Sequence, residues 1–199
     1  MSRALMLDSP KSLLYRVLAL VWFNPLLINF MAGLTPGTGG TVVSTTWEAA
    51  AIELAEILQG IEEEVNASLT NPVNRVAVNY DSGNPKIAQI QINMPITLGL
   101  GTDGAPKYIA TQFVSPNSAY AAGTGGDLKS TNLEAATFEA FSKLQSLEKT
   151  PPPIGVAAPA NNVNITINTE TLIAAIVANL PINFTIVSGK PTVNAVPYL

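Results

Sequence analysis

The chain contains no cysteine and no histidine. Without cysteine there is neither a disulfide framework nor a thiolate-ligated metal site. Without histidine the commonest general acid–base, the usual activator of a serine nucleophile and the usual transition-metal ligand are all missing. Charge is sparse as well, at 12% of 199 residues, where an ordinary soluble domain carries about 25%. Lysine and arginine form no cluster and the net charge is −4, so the basic footprint that neutralises phosphates is absent and direct binding to nucleic acid is not expected. No residue pattern calls for a cofactor, and none is expected. An uncharged surface of this kind is instead expected to be covered between subunits.

What the chain does have is a repeat. Gly37-Thr38-Gly39-Gly40, Ser44-Thr45 and Glu48-Ala49-Ala50 recur 86 residues later as Gly123-Thr124-Gly125-Gly126, Ser130-Thr131 and Glu134-Ala135-Ala136. Residues 37–62 share 13 identities with 123–148, and Ile87, Ala88, Ile90, Asn93, Pro95 and Ile96 meet Ile173, Ala174, Ile176, Asn179, Pro181 and Ile182 at the same spacing. This predicts an internal tandem duplication: an arm over 1–36, an α+β unit over 37–114, a linker over 115–122 and a second α+β unit over 123–199. Units of this size bury a small fraction of their surface, so they are expected to pack on each other or on neighbouring chains.

Each unit is expected to be one capped helix followed by an antiparallel β-meander. Thr45-x-x-Glu48 and Thr131-x-x-Glu134 read as capping boxes. Along the first helix, expected to run to about Ser68, Trp47, Ala51, Leu54, Leu58, Ile61 and Val65 alternate spacings of four and three, a seam for packing along another helix. The other side carries Glu48, Glu53, Glu56, Glu62, Glu63 and Glu64, which reads as a solvated face. Ala88, Ile90, Ile92, Met94, Ile96 and Leu98 then alternate with polar residues at the period of a half-buried strand. Asp81-Ser82-Gly83-Asn84-Pro85 and Ser188-Gly189 read as turns. Leu172 to Leu180 has helical spacing on its own, but its match to the first unit assigns it to a strand. The expected core is Val76, Ile90, Ile92 and Ile96 with Val163, Ile165 and Ile176.

The N-terminal arm opens with Ser9 as N-cap and Pro10, then Leu13, Leu14, Val17, Leu18, Val21 and Trp22 at helical spacing, until Asn24-Pro25 breaks the pattern. It reads as an apolar helical docking arm; the uncharged stretch 17–34 leaves a membrane anchor as the alternative. No catalytic constellation accompanies these features. The glycine loops lack the Gly-Lys-Ser/Thr of a phosphate loop and read as flexible connectors. Asp81–Asn84 lacks the further acidic ligands of a calcium loop. The recurring pair Glu48/Glu134 is accounted for by capping, and Glu53/Glu139 has no polar partner nearby in sequence.

In composition and layout the chain looks like the small structural proteins of tailed-phage particles, in capsid cement, neck or tail positions. That resemblance implies a non-enzymatic structural subunit in a virion or other extracellular particle, assembled in a host cytoplasm. Its partners would be further copies of itself and other proteins of the particle. The residues expected at its interfaces are Leu13, Leu14, Val17, Leu18, Val21 and Trp22 of the arm, and Trp47, Leu54, Leu58 and Ile61 of the first helix. The alternative is a membrane-tethered or exported surface binding protein anchored through 17–34.

Overall fold

A computed structural model describes residues 33–101, 104–113, 120–150 and 161–197. The arm residues Leu13, Leu14, Val17, Leu18, Val21 and Trp22 lie outside these, as do the proline run 151–153, position 114 at the end of the expected first unit and positions 115–119 of the expected linker. One compact unit spans Gly33–Leu199. Its described elements, in chain order, are α1 (Trp47–Asn66), β1 (Val76–Asp81), β2 (Ile87–Leu100), β3 (Pro106–Ala110), α2 (Leu133–Lys149), β4 (Val163–Asn168), β5 (Ile173–Val187) and β6 (Lys190–Ala195). The protein is therefore α+β: two helices and one six-stranded antiparallel sheet among the described residues.

Period-two sequence builds the sheet. Ala88, Ile90, Ile92, Met94 and Ile96 of β2 are buried, as are Ala174, Ile176, Ala178, Leu180 and Ile182 of β5. Covering an aliphatic side chain of this size contributes about 1.5–3 kcal/mol, so the buried face fixes the register. The stretch Leu172–Leu180, which satisfies both periods, is strand from Ile173 onward, because each apolar side chain on its even positions then meets one from β2. Val76 and Val163 are buried with them, while Ile165 is half-buried.

The two long strands form the central seam. Ile87–Pro95 of β2 pairs with Ile173–Pro181 of β5, and Gln91 opposes Val177 at its midpoint. These two residues are 86 positions apart, so a local two-fold axis passes between them. On their outer edges, β1 and β4 flank the paired halves of β2 and β5, with the order β1-β2-β5-β4. From Ile96 onward β2 pairs with β3 instead; from Ile182 onward β5 pairs with β6. Two-stranded ribbons thus extend from opposite ends of the seam. Ser188 (φ 52°) and Gly189 (φ 77°) close the second ribbon, both in the left-handed region that a two-residue hairpin turn requires.

Both helices cover the buried face and pack on each other, with Lys143 of α2 lying 5.9 Å from the ring centre of Trp47 on α1. The helix starts differ from expectation by one residue. Thr46, not Thr45, caps α1 by accepting from the Ala49 amide at 3.2 Å. Asn132, not Thr131, caps α2 by accepting from the Ala135 amide at 2.8 Å. The expected box spacing is thereby lost, and Glu48 and Glu134 are both buried.

Candidate interaction surface

The glycine loops are not free connectors. Thr38 and Thr124 exchange backbone hydrogen bonds of 3.0 Å in both directions, flanked by Asp127 N to Thr35 O at 2.9 Å and Thr41 N to Ala121 O at 2.8 Å. These three rungs obey the same two-fold as the β2–β5 seam. The close approach depends on glycine: a Cβ at Gly37 would stand 2.1 Å from the Ala122 carbonyl oxygen, and one at Gly123 would stand 2.6 Å from the Gly37 carbonyl. The sequence signal is the repeated glycines, but their use is legible only once the two loops are placed side by side.

The acidic residues of the helices also have partners that spacing along the chain conceals. Glu53 accepts from the amides of Val43 and Ser44, at 3.1 Å each, and from the Ser44 hydroxyl at 2.6 Å. Its counterpart Glu139 accepts from the Lys129 and Ser130 amides at 3.0 and 2.9 Å, and from the Ser130 hydroxyl at 2.6 Å. At the other end of α1, buried Glu62 holds the Arg75 and Val76 amides at 2.9 Å each. Glu148 holds the Asn162 and Val163 amides at 2.8 and 3.0 Å. Glu134 accepts from the Phe113 amide at 2.9 Å. Of the expected solvated face, Glu56, Glu63 and Glu64 are exposed, and Glu56 accepts from the Tyr80 hydroxyl. Burial and then that Glu56 contact push the Tyr80 phenol well above its ordinary range. The Tyr120 phenol is also raised, by burial first and then by the charge of Glu139. These carboxylates tie loops and strand starts to helices, a scaffolding use of charge.

The interface residues expected on α1 lie inside the fold. Trp47, Leu54 and Leu58 are at most 6% exposed and are spent on the chain's own core, and Ile61 is half-buried. Of these, Trp47 meets Lys143 of α2 in the same chain. Exposed apolar side chains sit instead on the ribbons: Leu98 (63% exposed), Leu100 (72%) and Ile186 (78%). Leu98 continues the alternation of β2, which is why its pattern reads as part of the buried face. It is exposed because the sheet has narrowed there to β2 and β3. Under that ribbon lies a cleft of 440 Å³ whose floor is α2, with Leu100, Tyr108 and Phe138 among its walls. A second cleft of 370 Å³ lies between β6 and α1, with Ile52, Glu53 and Val193 at the positions matching Phe138, Glu139 and Tyr108 of the first. Each ribbon therefore overhangs the helix of the other half.

The turn at Asp81 is an Asx turn, Gly83 N donating to Asp81 Oδ1 at 2.8 Å, and no group of three metal-ligating side chains occurs among the described residues. Among those residues no helix is long and apolar enough to cross a membrane. Of the stretch 17–34, Gly33 and Leu34 belong to the folded unit, where Leu34 is buried and its amide donates to Thr45 O at 2.8 Å. No protein-family model, curated protein or solved structure matches the chain.

Proposed function

We propose that this protein is a non-enzymatic structural subunit of a large assembly, made by duplication of one α+β unit behind an apolar N-terminal arm. A tailed-phage particle, at a cement, neck or tail position, is the setting that its composition and layout suit. The observation that carries the reading is the pair of ribbons at opposite ends of the seam, each with an uncharged edge and exposed apolar side chains. Edges of isolated proteins are usually guarded by charge, proline or a covering element. Thr97-Leu98-Gly99-Leu100 and Asn183-Phe184-Thr185-Ile186 carry neither charge nor proline, and among the described residues no strand lies on their inner side. A duplicated unit also supports this role, because two similar faces on one chain can occupy two quasi-equivalent positions in a symmetric particle.

Light scattering on the full chain tests the reading, with and without mild detergent. A discrete multiple of 20.9 kDa, or growth into larger particles that detergent does not alter, is the expected result. A monomer in plain buffer at micromolar concentration overturns it. A monomer obtained only in detergent, with aggregation without it, replaces it with the membrane-anchored surface protein.

A further inference from the structure

Among the described residues, the helices cover one face of the four-stranded part of the sheet and leave the other open. We infer that this open face is the contact surface for a second copy of the chain, stacked sheet to sheet with the two local axes in line. The inference rests on the assembly reading and names one of its interfaces.

Charge distribution is the first support. Gln89, Gln91 and Asn93 of β2, Val177 and Asn179 of β5 and Asn164 of β4 all point to this side and are exposed. Within the four strands the only charged residue on this side is Asp81, at the end of edge strand β1. The helical side, by contrast, exposes Glu56, Glu63, Glu64 and Lys149. Antiparallel sheets can keep one face in water, but a wet face gains nothing from excluding lysine and glutamate. A face against its own copy does, because a charge there would lose its water without gaining an opposite partner.

Symmetry is the second support. Gln91 and Val177 straddle the local axis, which stands normal to the sheet because it relates two neighbouring antiparallel strands. A second copy facing the first along that axis meets both halves on equal terms, giving a closed pair rather than an open chain. Val177, 43% exposed, is the apolar centre of the patch, and the amide side chains around it supply donors and acceptors in equal number. Area bounds the strength of the contact. The central strands pair over nine residues and the outer two over six, so at about 4.8 Å between strands and about 3.4 Å per residue the face covers about 500 Å² per copy, or about 1,000 Å² in the pair, the low end of specific interfaces.

The native chain has no cysteine, so one introduced thiol reports without background. Val177→Cys in the full-length protein, treated with a bismaleimide reaching about 10 Å, the spacing of stacked sheets, is expected to give a covalent dimer. Glu64→Cys on the exposed helix surface is expected to stay monomeric on the same gel. In parallel, Gln91→Lys places a charge beside the axis and is expected to weaken the pairing at least tenfold by light scattering, with an unchanged circular dichroism spectrum. Equal cross-linking at both thiols, or at neither, overturns the inference, and a Gln91→Lys protein of native mass does so too. If the native chain remains a multimer while these variants behave like it, the face is wrong and the assembly reading stands. If the native chain is itself a monomer, both fall.

Discussion

Thr38 and Thr124 bond each other through both backbone amides, each at 3.0 Å. Residues 86 apart in sequence are therefore in direct register, and the loops that carry them act as a clasp across the local two-fold. The clasp works because no side chain separates the two backbones.

Alanine at Gly37 or at Gly123 is expected to force the loops apart. Both Cβ positions fall under 3.0 Å from backbone atoms, which cannot give way as a side-chain end does, so a loss of about 1–3 kcal/mol is expected. Gly123 carries an added penalty from its φ of 74°. Gly60, mid-helix in α1 with nothing within 4 Å of the position a methyl would take, is the opposite case, and Gly60→Ala is expected to stabilise by about 1 kcal/mol. Urea melts of the three variants check both signs; a neutral Gly37→Ala would show that the clasp contributes nothing.

Removing the carboxylate of Glu62 should be far costlier than removing that of its neighbour Glu63. The first leaves the Arg75 and Val76 amides without the oxygens they donate to at 2.9 Å and strands them where β1 begins. The second is exposed and meets only Gln59, at 2.7 Å. Glu62→Ala is expected to lose about 2–3 kcal/mol, and Glu63→Ala no more than about 0.5 kcal/mol. For a chain of this size each kcal/mol is worth about 2–4 °C in Tm, so calorimetry separates the two readily. Glu148→Ala is expected to match Glu62→Ala.

These carboxylates also mark where the sequence stops being readable. Alternation of Ala88, Ile90, Ile92, Met94 and Ile96 exposed the buried face of β2, because a two-residue period is a local property. The spacing of the repeat resolved β5, whose Ala-Ile-Val-Ala run fits either period until a neighbouring strand is supplied. Glu62 and Glu53 looked like parts of a solvated stripe because their partners, Arg75 and Ser44, lie in loops that only the folded chain brings back to the helix. Trp47, Leu54 and Leu58 were recognisable as an apolar stripe, but no local pattern tells burial inside the same chain from burial against another. Leu98 shows the same limit on a strand: its alternation is unbroken, yet the strand beside it changes from β5 to β3 and its cover is lost.

Lysine at Leu100 and Ile186 is expected to separate association from folding. Both side chains are largely exposed, at 72% and 78%, so the double substitution should change stability by no more than about 0.5 kcal/mol per site. If the ribbons serve as contact ends, the same change introduces charge on each and lowers the mass of the assembly. Light scattering and a thermal melt on one sample make the comparison. A lower Tm with unchanged mass would place these residues in the fold rather than at a contact.

Alkaline pH should unfold the protein earlier than carboxylate or lysine titration alone would. The Tyr80 phenol, half-buried and donating to Glu56, holds its proton well above the ordinary range, whereas in the unfolded chain a tyrosine ionises near pH 10. A group raised on folding contributes stability that is fully present below the unfolded pKa and is lost as pH climbs past it, because only the unfolded state releases the proton. Tm should therefore fall from about pH 10 upward. Tyr80→Phe removes the hydrogen bond, costs about 1 kcal/mol at neutral pH, and flattens that alkaline decline. Part of the slope should persist through Tyr120, whose phenol is raised by burial and by Glu139, and should disappear in the double variant Tyr80→Phe, Tyr120→Phe. An alkaline limb equally steep in the native and double-variant proteins would assign the transition to other groups and remove the Tyr80–Glu56 contact from the account of stability.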